Sequence, residues 1–262
     1  MNYDTKIEIN TQRSYQVVKA NEIVQKARYD LNISELKTFA FIVSKIKPTD
    51  GLNQEYEINV KEFCQVCGLD YKNGGNYQYI KKNLKALRDK SFWLTDENGV
   101  DTTVGWLSKA RINKNSGKIK VKFDEDIQKY VIGLFENFTQ YSLLSTLPMK
   151  SSYSFRLFEL LKSYAFAKRH TFDIDELKKI LVAEHYVNFK DFRRKVLEVA
   201  VKEINKYTDI EISWTAITKG RKTIQVDFEI KTKDTIERLN SSSNAIEQLD
   251  NQISMFDYDY YK

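Results

Sequence analysis

The apolar residues of one stretch, residues 189–230, change their spacing halfway along, and this restricts the fold more than any other feature. In the first half they follow the period of an amphipathic helix. These helix positions are Phe189, Phe192, Val196, Val199, Ala200, Ile204 and Tyr207. In the second half they alternate with polar residues, as in half-buried strands. The strand positions are Ile210, Ile212, Trp214, Ala216, Ile224, Val226, Phe228 and Ile230. The stretch therefore predicts a helix followed by a two-stranded hairpin.

Basic residues accompany both parts of this unit. Lys219-Gly220 is predicted to turn the hairpin, with Arg221 and Lys222 beside its tip. A basic amphipathic helix followed by a basic-tipped hairpin is the arrangement with which a winged helix binds DNA, because the helix enters the major groove and the hairpin contacts phosphate. We therefore expect this stretch to bind double-stranded DNA.

The positive charge of the chain is concentrated in two segments. The net charge of the 262 residues is +6, which alone would fit a solvated, lysine-rich surface. Residues 189–222 contain nine Lys and Arg against five Asp and Glu, and residues 76–90 contain five against one. The tail from Asn240 instead carries four acids and one lysine. Two basic patches and an acidic tail favour a nucleic-acid partner.

Several other classes of protein are disfavoured by composition. The first ten residues have no apolar core like that of a signal peptide, and no apolar run approaches membrane-spanning length. We therefore expect a cytoplasmic protein with no membrane partner. Cys64 and Cys67 lie in a short apolar segment, and His170 and His185 are remote from them and not paired at ligand spacing. We predict that both cysteines pack in a core, with no metal and no cofactor.

The two halves of the chain look like copies of one unit. Tyr77-x-x-Ile80-Lys81-Lys82 in the first half matches Phe189-x-x-Phe192-Arg193-Arg194 in the second. A short strand and a short helix precede each motif. A hairpin follows each motif, with Asn98-Gly99 as the predicted turn in the first half. The predicted fold class is α+β: two tandem winged-helix domains related by duplication, plus a flexible C-terminal tail.

Both prolines fall where an element should end. Pro48 follows a helix predicted over Ile33–Ile46, for which Asn32 and Glu35 fit a capping box. Pro148 lies between the two halves. We therefore predict a first winged-helix domain over residues 1–135, a linker over 136–150, a second winged-helix domain over 151–235, and a flexible acidic tail over 236–262 that contains the linker-like Ser241–Asn244.

The sequence closely resembles a known family over residues 17–231. SSYSFRLFELLKSY at 151–164, FKDFRRKVLEVAVKEINKYTDIEISW at 189–214 and the KGRKT turn resemble the second winged helix of the Rep_3-type plasmid replication initiators. VVKANEIVQKARYDLNISELKTFAFIVSKIK at 17–47 looks like the opening of the same family. The combination of DFRR, EIN and KGR carries the resemblance, which no single motif would.

The resemblance implies an initiator that binds repeated origin sites, called iterons, in double-stranded DNA and recruits the host replication initiator and helicase. It implies a homodimer in equilibrium with monomer: dimers repress their own promoter at an operator inverted repeat, as part of plasmid copy control, and monomers initiate. The first winged helix would supply the dimer surface and backbone contacts to DNA, and the second specific binding. The protein would be associated with plasmid or nucleoid DNA. The first unit departs from better-known members in loop length and hairpin sequence.

The helix face opposite the apolar stripe is the surface predicted to read bases. We expect Arg194 to recognise guanine, because its guanidinium can donate to two acceptors at once. The predicted base-reading residues are Lys190, Arg193, Arg194 and Glu198.

Phosphate contacts are predicted on three surfaces. On the second helix and its hairpin they are Lys195, Lys219, Arg221 and Lys222. On the helix of the first unit they are Gln78, Lys81, Lys82, Lys85 and Arg88. Because lysine dominates this first-unit face, we expect it to position the DNA backbone rather than to read bases.

The tail contains one further motif. Gln252-Ile253-Ser254-Met255-Phe256 resembles the bacterial sliding-clamp motif, usually Gln-Leu-Ser-Leu-Phe, with conservative changes at two positions. Met255 and Phe256 could fill an apolar pocket while Gln252 forms hydrogen bonds at its rim. The DNA polymerase sliding clamp is therefore a further expected partner, and a tail that packs on the body is the alternative.

Catalytic functions fit the sequence poorly. A rolling-circle nicking enzyme needs clustered histidines beside a tyrosine, and the two histidines cannot form that ligand pair. The nine glycines form no Gly-x-x-x-x-Gly-Lys loop for a nucleotide, and there is no nucleophile elbow. We predict no catalytic activity. The alternatives left open are a tandem winged-helix transcriptional regulator without origin function and an interaction scaffold.

Overall fold

A computed structural model of the chain describes residues 3–69, 74–95, 98–113 and 115–258. The elements before residue 143 are α1 (Tyr3–Arg13), β1 (Gln16–Ala20), α2 (Asn21–Gln25), α3 (Ile33–Val43), β2 (Tyr56–Asn59), α4 (Val60–Cys67), α5 (Gly74–Asp89), β3 (Ser91–Thr95), β4 (Asp101–Gly105), β5 (Leu107–Asn113), β6 (Lys118–Phe123), α6 (Glu125–Gln128) and β7 (Phe138–Ser142). Those that follow are α7 (Ser152–Ser163), β8 (Arg169–Asp173), α8 (Ile174–Ile180), α9 (Phe189–Phe192), α10 (Glu198–Tyr207), β9 (Ile210–Lys219), β10 (Lys222–Thr232) and α11 (Thr235–Tyr258). A π-helical turn, Arg193–Leu197, joins α9 to α10.

The start of α3 follows from local side-chain chemistry. The Asn32 side chain accepts hydrogen bonds from the backbone of Ser34 and Glu35, and the Glu35 carboxylate accepts one from the Asn32 N–H, which confirms the capping box. The α-helix ends at Val43 rather than at the predicted Ile46, because the backbone N–H groups of Lys45 and Ile46 donate to carbonyls three residues back instead of four.

The sheets confirm the two predicted winged helices. The first unit contains a three-stranded antiparallel sheet of order β2-β6-β5, and the second contains one of order β8-β10-β9. In each unit the first strand leads directly into a short helix, and a longer helix precedes the hairpin. Both units are therefore winged helices, as the spacing predicted.

The predicted hairpin of the first unit is not its wing. The turn that contains Gly99 (φ 77°) joins β3 to β4, and these strands form a separate two-stranded sheet. The counterpart of the second-unit hairpin is β5–β6, which carries Gly117 at φ 64° in its turn. The sequence misled us because Asn98-Gly99 is the stronger turn signal, although it belongs to an inserted hairpin.

The segment interpreted as a linker, residues 136–150, is folded and packed. Its strand β7 pairs antiparallel with β1, with Tyr141 opposite Val17. Leu147 and Met149 are fully buried. The following helix, α7, contacts α2 and α3 on one side and α10 on the other. The apolar core is therefore continuous from one winged helix to the next.

A buried charge cluster lies where α7 meets the first unit. The Lys19 ammonium is 2.6 Å from Oε1 of Glu159, and the Tyr141 hydroxyl donates to the same oxygen at 2.6 Å. The guanidinium of Arg156 lies 3.4 Å from the other Glu159 oxygen and also donates to the Tyr29 hydroxyl. Burial and the neighbouring carboxylate hold the pKa of Tyr141 well above its usual range. One carboxylate is thus shared by two cations inside the protein.

Residues 235–258 form a helix where we predicted a flexible tail. That prediction is wrong for Ser241–Asn244, since α11 continues through these residues without a break. Ala245 and Leu249 of α11 are fully buried, and Asp250 lies 3.3 Å from Arg13 of α1. The polar composition concealed the helix because its few apolar side chains pack against residues distant in sequence.

Candidate nucleic-acid interface

The recognition helix comprises α9, the π-helical turn and α10, residues 189–207. The Asn188 side chain caps its start by accepting a hydrogen bond from the backbone of Asp191 at 3.0 Å. The face that packs on the protein consists of Phe192, Val196, Leu197, Ala200, Ile204 and Tyr207. Near the C-terminal end of the recognition helix, the Glu203 carboxylate accepts hydrogen bonds from the backbone N–H groups of Lys150 and Ser151, just before α7. These bonds hold that end of the helix against the start of α7.

The π-helical turn changes which residues face the core. The regular helical spacing placed Val199 in the buried stripe, but its side chain is 36% exposed, whereas Leu197, absent from that stripe, is fully buried. A π turn holds more residues than an α turn, so it brings Val196 and Leu197 together onto the protein side and moves Val199 to the edge. Such a turn has no clear signature in the sequence.

All four predicted base-reading residues are exposed on this helix. Arg194 lies 3.4 Å from the Asp191 carboxylate, and Arg193 lies 3.2 Å from Glu198 five residues later. Because exposed ion pairs of this kind contribute little to stability, both guanidinium groups can exchange them for contacts to bases or phosphates at small cost. Lys190 is also exposed, near the start of the helix. The structure therefore brings these side chains together at the N-terminal half of one helix.

The second-unit hairpin, β9–β10, presents the predicted phosphate contacts at its tip. Lys219 and Lys222 face each other across a two-residue turn formed by Gly220 and Arg221. Gly220 has φ 64°, a conformation that residues with a Cβ adopt rarely. Lys219, Arg221 and Lys222 are all exposed, as is Lys195 on the recognition helix.

The first unit has a second basic surface on α5. Gln78, Lys81, Lys82, Lys85 and Arg88 are all exposed on that helix, as predicted. Lys85 forms an ion pair with Asp89 one turn later. The helix start, Gly74, is the first described residue after a gap, so the description of this surface begins within the helix.

Two cations of this surface were missed by the sequence analysis. A cleft of about 350 Å³ lies between α5 and β5, and its lining includes Lys81, Lys85 and Arg88 of the helix together with Lys109 and Arg111 of the strand. On β5 these two residues alternate with Ala110 and Ile112, which are partly buried. This alternation was the signal that could have revealed them, since successive strand residues point to opposite faces.

Acidic side chains of the first unit form ion pairs with the cations of its wing, the β5–β6 hairpin. Glu57 of β2 lies 2.6 Å from Lys118 and 3.5 Å from Lys120, both on β6. Glu55 lies 3.8 Å from Arg111 on β5. These carboxylates partly neutralise the hairpin that corresponds to the basic β9–β10 hairpin of the second unit.

The remaining predictions concern the tail motif and the two cysteines. The backbone of Gln252–Phe256 belongs to α11, and the side chains of this motif lie outside the described residues. Cys64 and Cys67 are buried, as predicted, and burial raises the pKa of the Cys67 thiol to about 12. Such a thiol stays protonated and packs as an apolar group.

Neither a metal-holding group of side chains nor a membrane-spanning helix is found among the described residues. Over residues 3–69, 74–95, 98–113 and 115–258, no group of three or more His, Cys, Asp or Glu side chains could hold a metal ion. Within the same ranges, no helix is both long and apolar enough to cross a membrane.

The chain is similar to several proteins of known sequence or structure. The chain is 33% identical over 145 residues to the PI protein of Escherichia coli, across 48% of this chain and 47% of that protein. It is 24% identical over 120 residues to an uncharacterized 27.6 kDa protein of the same organism, across 44% and 49%. The chain thus spans about half the length of the curated relatives it matches. The crystal structure of the Pi initiator protein in complex with iteron DNA has a similar fold, with a TM-score of 0.67 and 21% identity over 85% of this chain and 99% of that one.

Two family models match consecutive parts of the chain. The model described as Initiator Replication protein, WH1, covers residues 16–162, and the one described as Initiator Rep protein, WH2, covers residues 173–230. The first extends through α7, whereas our predicted boundary near residue 150 precedes that helix. The first match alone covers more than half of the 262 residues, and the resemblance noted in the sequence is confirmed. This chain belongs to the initiator replication protein family.

Proposed function

We propose that this protein initiates plasmid replication by binding iteron repeats in double-stranded DNA at the origin. The observation that carries the proposal is that the recognition helix and the β9–β10 hairpin expose their cations on the same winged helix. Family membership supports an initiator role, and the similar Pi initiator has been crystallised in complex with iteron DNA.

The surface fits DNA in a defined way. The N-terminal part of a recognition helix reaches base edges in the major groove, which gives Arg194 access to guanine and Lys190, Arg193 and Glu198 access to neighbouring bases. The hairpin tip then contacts phosphate and fixes the register of the helix. The α5 surface and the cleft beside β5 would contact the backbone of the same duplex without reading sequence.

Replication of a test plasmid checks this proposal directly. The gene and its flanking noncoding DNA are placed on a circle without another origin, and maintenance is measured in a bacterial host. The wild-type circle should replicate, Arg194→Ala should abolish maintenance, and Lys206→Ala, which removes an exposed cation at the far end of the same helix, should preserve it. A circle that is lost, together with specific binding of the purified protein to the flanking DNA, would favour a transcriptional regulator without origin function.

Further properties belong to the same proposal. Homodimers would repress the promoter of the gene at an inverted repeat, while monomers would initiate and recruit the host initiator and helicase. The first winged helix would supply the dimer surface. A reporter under the promoter of the gene, measured with wild-type protein and with Arg194→Ala, tests repression. Equal reporter activity in the presence and absence of the wild-type protein would contradict it.

We also propose that Gln252–Phe256 binds the sliding clamp. Truncation after Asp250 would remove the motif and keep the residue that pairs with Arg13. Clamp capture should disappear with this truncation and with Phe256→Ala, and persist with Tyr258→Ala. Capture that is unchanged in the truncated protein would remove the idea.

A further inference from the structure

The residue just before the recognition helix is an exposed valine. Val187 precedes the cap residue Asn188, and its side chain is 88% exposed. An apolar residue at this position usually packs against the fourth residue of the helix, which here is Phe192. Phe192 is fully buried by other side chains, so the isopropyl group of Val187 is left without a packing role.

The backbone that carries this side chain is held firmly. Lys178 of α8 is buried, and its ammonium donates hydrogen bonds to the carbonyl oxygens of Tyr186 at 2.7 Å and Val187 at 3.3 Å. The same ammonium lies 5.6 Å from the centre of the Phe192 ring. An exposed apolar group on a fixed backbone loses little conformational entropy when it binds a partner.

The position of Val187 restricts that partner. It lies at the end of the recognition helix that reaches base edges, beside the segment with Lys190, Asp191 and Arg194. An isopropyl group can neither bind phosphate nor form hydrogen bonds with base edges. In the major groove, the apolar group that a base presents is the 5-methyl of thymine.

We propose that Val187 is a specificity-determining residue that contacts the 5-methyl group of one thymine in the binding site. The proposal rests on the proposed function, because it needs the recognition helix in the major groove. It adds apolar recognition of one base pair to the hydrogen-bonded recognition assigned to Arg194.

Replacing thymine by uracil tests the contact, because it removes only the methyl group. The probe is the tightest-binding duplex that the full chain recovers from a random-sequence library, with each thymine replaced singly. Loss of one buried methyl should weaken binding by the wild-type protein about fourfold at one position. Val187→Ala should bind the uracil and thymine duplexes equally at that position and should keep the wild-type response at all others.

The controls separate this inference from the proposed function. Ile236→Ala, which shortens another exposed aliphatic side chain on α11, should respond to uracil as the wild-type protein does. If every thymine-to-uracil change affects the wild-type protein and Val187→Ala equally, while Arg194→Ala still loses specificity, the valine contact is wrong and the proposed function stands. If the library yields no preferred duplex, both are wrong.

Discussion

The two winged helices have the same sheet order but differ in the surfaces that they expose. The second unit carries arginines on a helix that contains a π turn, and its hairpin ends in a tight, basic two-residue turn. The first unit carries lysines at the matching helix positions, and Glu57 of β2 pairs with two lysines of its β5–β6 hairpin. An arginine guanidinium can donate two parallel hydrogen bonds to one planar acceptor group, whereas a lysine ammonium acts as a point charge. The difference is what we expect of two similar folds of which one, as proposed for the second unit, reads bases and the other, as proposed for the first, positions the DNA backbone.

The largest expected effect concerns the junction between the units. Glu159→Gln would leave Lys19 and Arg156 buried without their shared anion, so we expect a loss of about 3–5 kcal/mol in the free energy of unfolding. Urea denaturation of the purified protein measures it. The matched control is Glu184→Gln, which breaks a half-exposed pair with Arg28 at 2.9 Å and should cost less than about 1 kcal/mol. Equal losses in the two variants would show that burial of the cluster contributes nothing.

The second prediction compares the matching helix positions Arg194 and Lys82. Arg194→Ala should weaken binding to the specific duplex by about 1–3 kcal/mol and relax sequence preference, because bidentate contacts to one base are lost. Lys82→Ala should weaken binding to specific and random duplexes by the same factor. Titrations at one fixed salt concentration measure both. A loss of preference in Lys82→Ala would mean that the first unit reads bases as well.

The third prediction concerns Lys37 on α3, close to Cys67 and Glu203. Burial lowers the pKa of Lys37 from 10.5 to about 8. Between these two pKa values the unfolded chain binds more protons than the folded one, so stability should rise as pH increases through that window. Lys37→Met should stabilise the protein at neutral pH by about 1–3 kcal/mol and flatten the rise. Urea denaturation at pH 7 and about pH 10 measures both, and an unchanged rise would assign it to other groups.

The smallest expected effect separates the two hairpins. A plot of the logarithm of the binding constant against the logarithm of the salt concentration has a negative slope. Lys219→Ala should make this slope shallower by about 0.9, because one phosphate contact is lost. Lys118→Ala should change it less, because Glu57 already compensates this ammonium. Sequence preference should stay unchanged in both variants. Equal changes in slope would place both hairpins on DNA to the same extent.

Much of the fold could be predicted because the information is local. The helical and alternating periods of residues 189–230 gave the second winged helix, and the capping box of Asn32 and Glu35 gave the start of α3. The two copies were recognisable because their helices share a spacing of apolar and basic residues.

The features that could not be predicted depend on contacts between distant residues. The hairpin β3–β4 was mistaken for the wing, because the pairing of β6 with β2 decides which hairpin belongs to the central sheet. Helix α11 packs against α10 and Leu143–Ser145, and its Asp250 pairs with Arg13 at the other end of the chain. The buried charge cluster joins Lys19 to Glu159 across 140 positions. In the recognition surface, the sequence provided the exposed cations but not the π turn that sets the buried stripe.

The π turn has a consequence for comparing relatives. A single-turn π segment corresponds to one extra residue accommodated inside an α-helix instead of being expelled into a loop. A relative with an unbroken α-helix would then carry one residue fewer between Phe192 and Ala200. An alignment drawn without a gap there would shift every position before the turn by one. The relative's counterpart of Arg193 would then be aligned with Arg194 of this chain. Binding-site rules transferred between relatives therefore need this single-residue gap in the helix before they can be read.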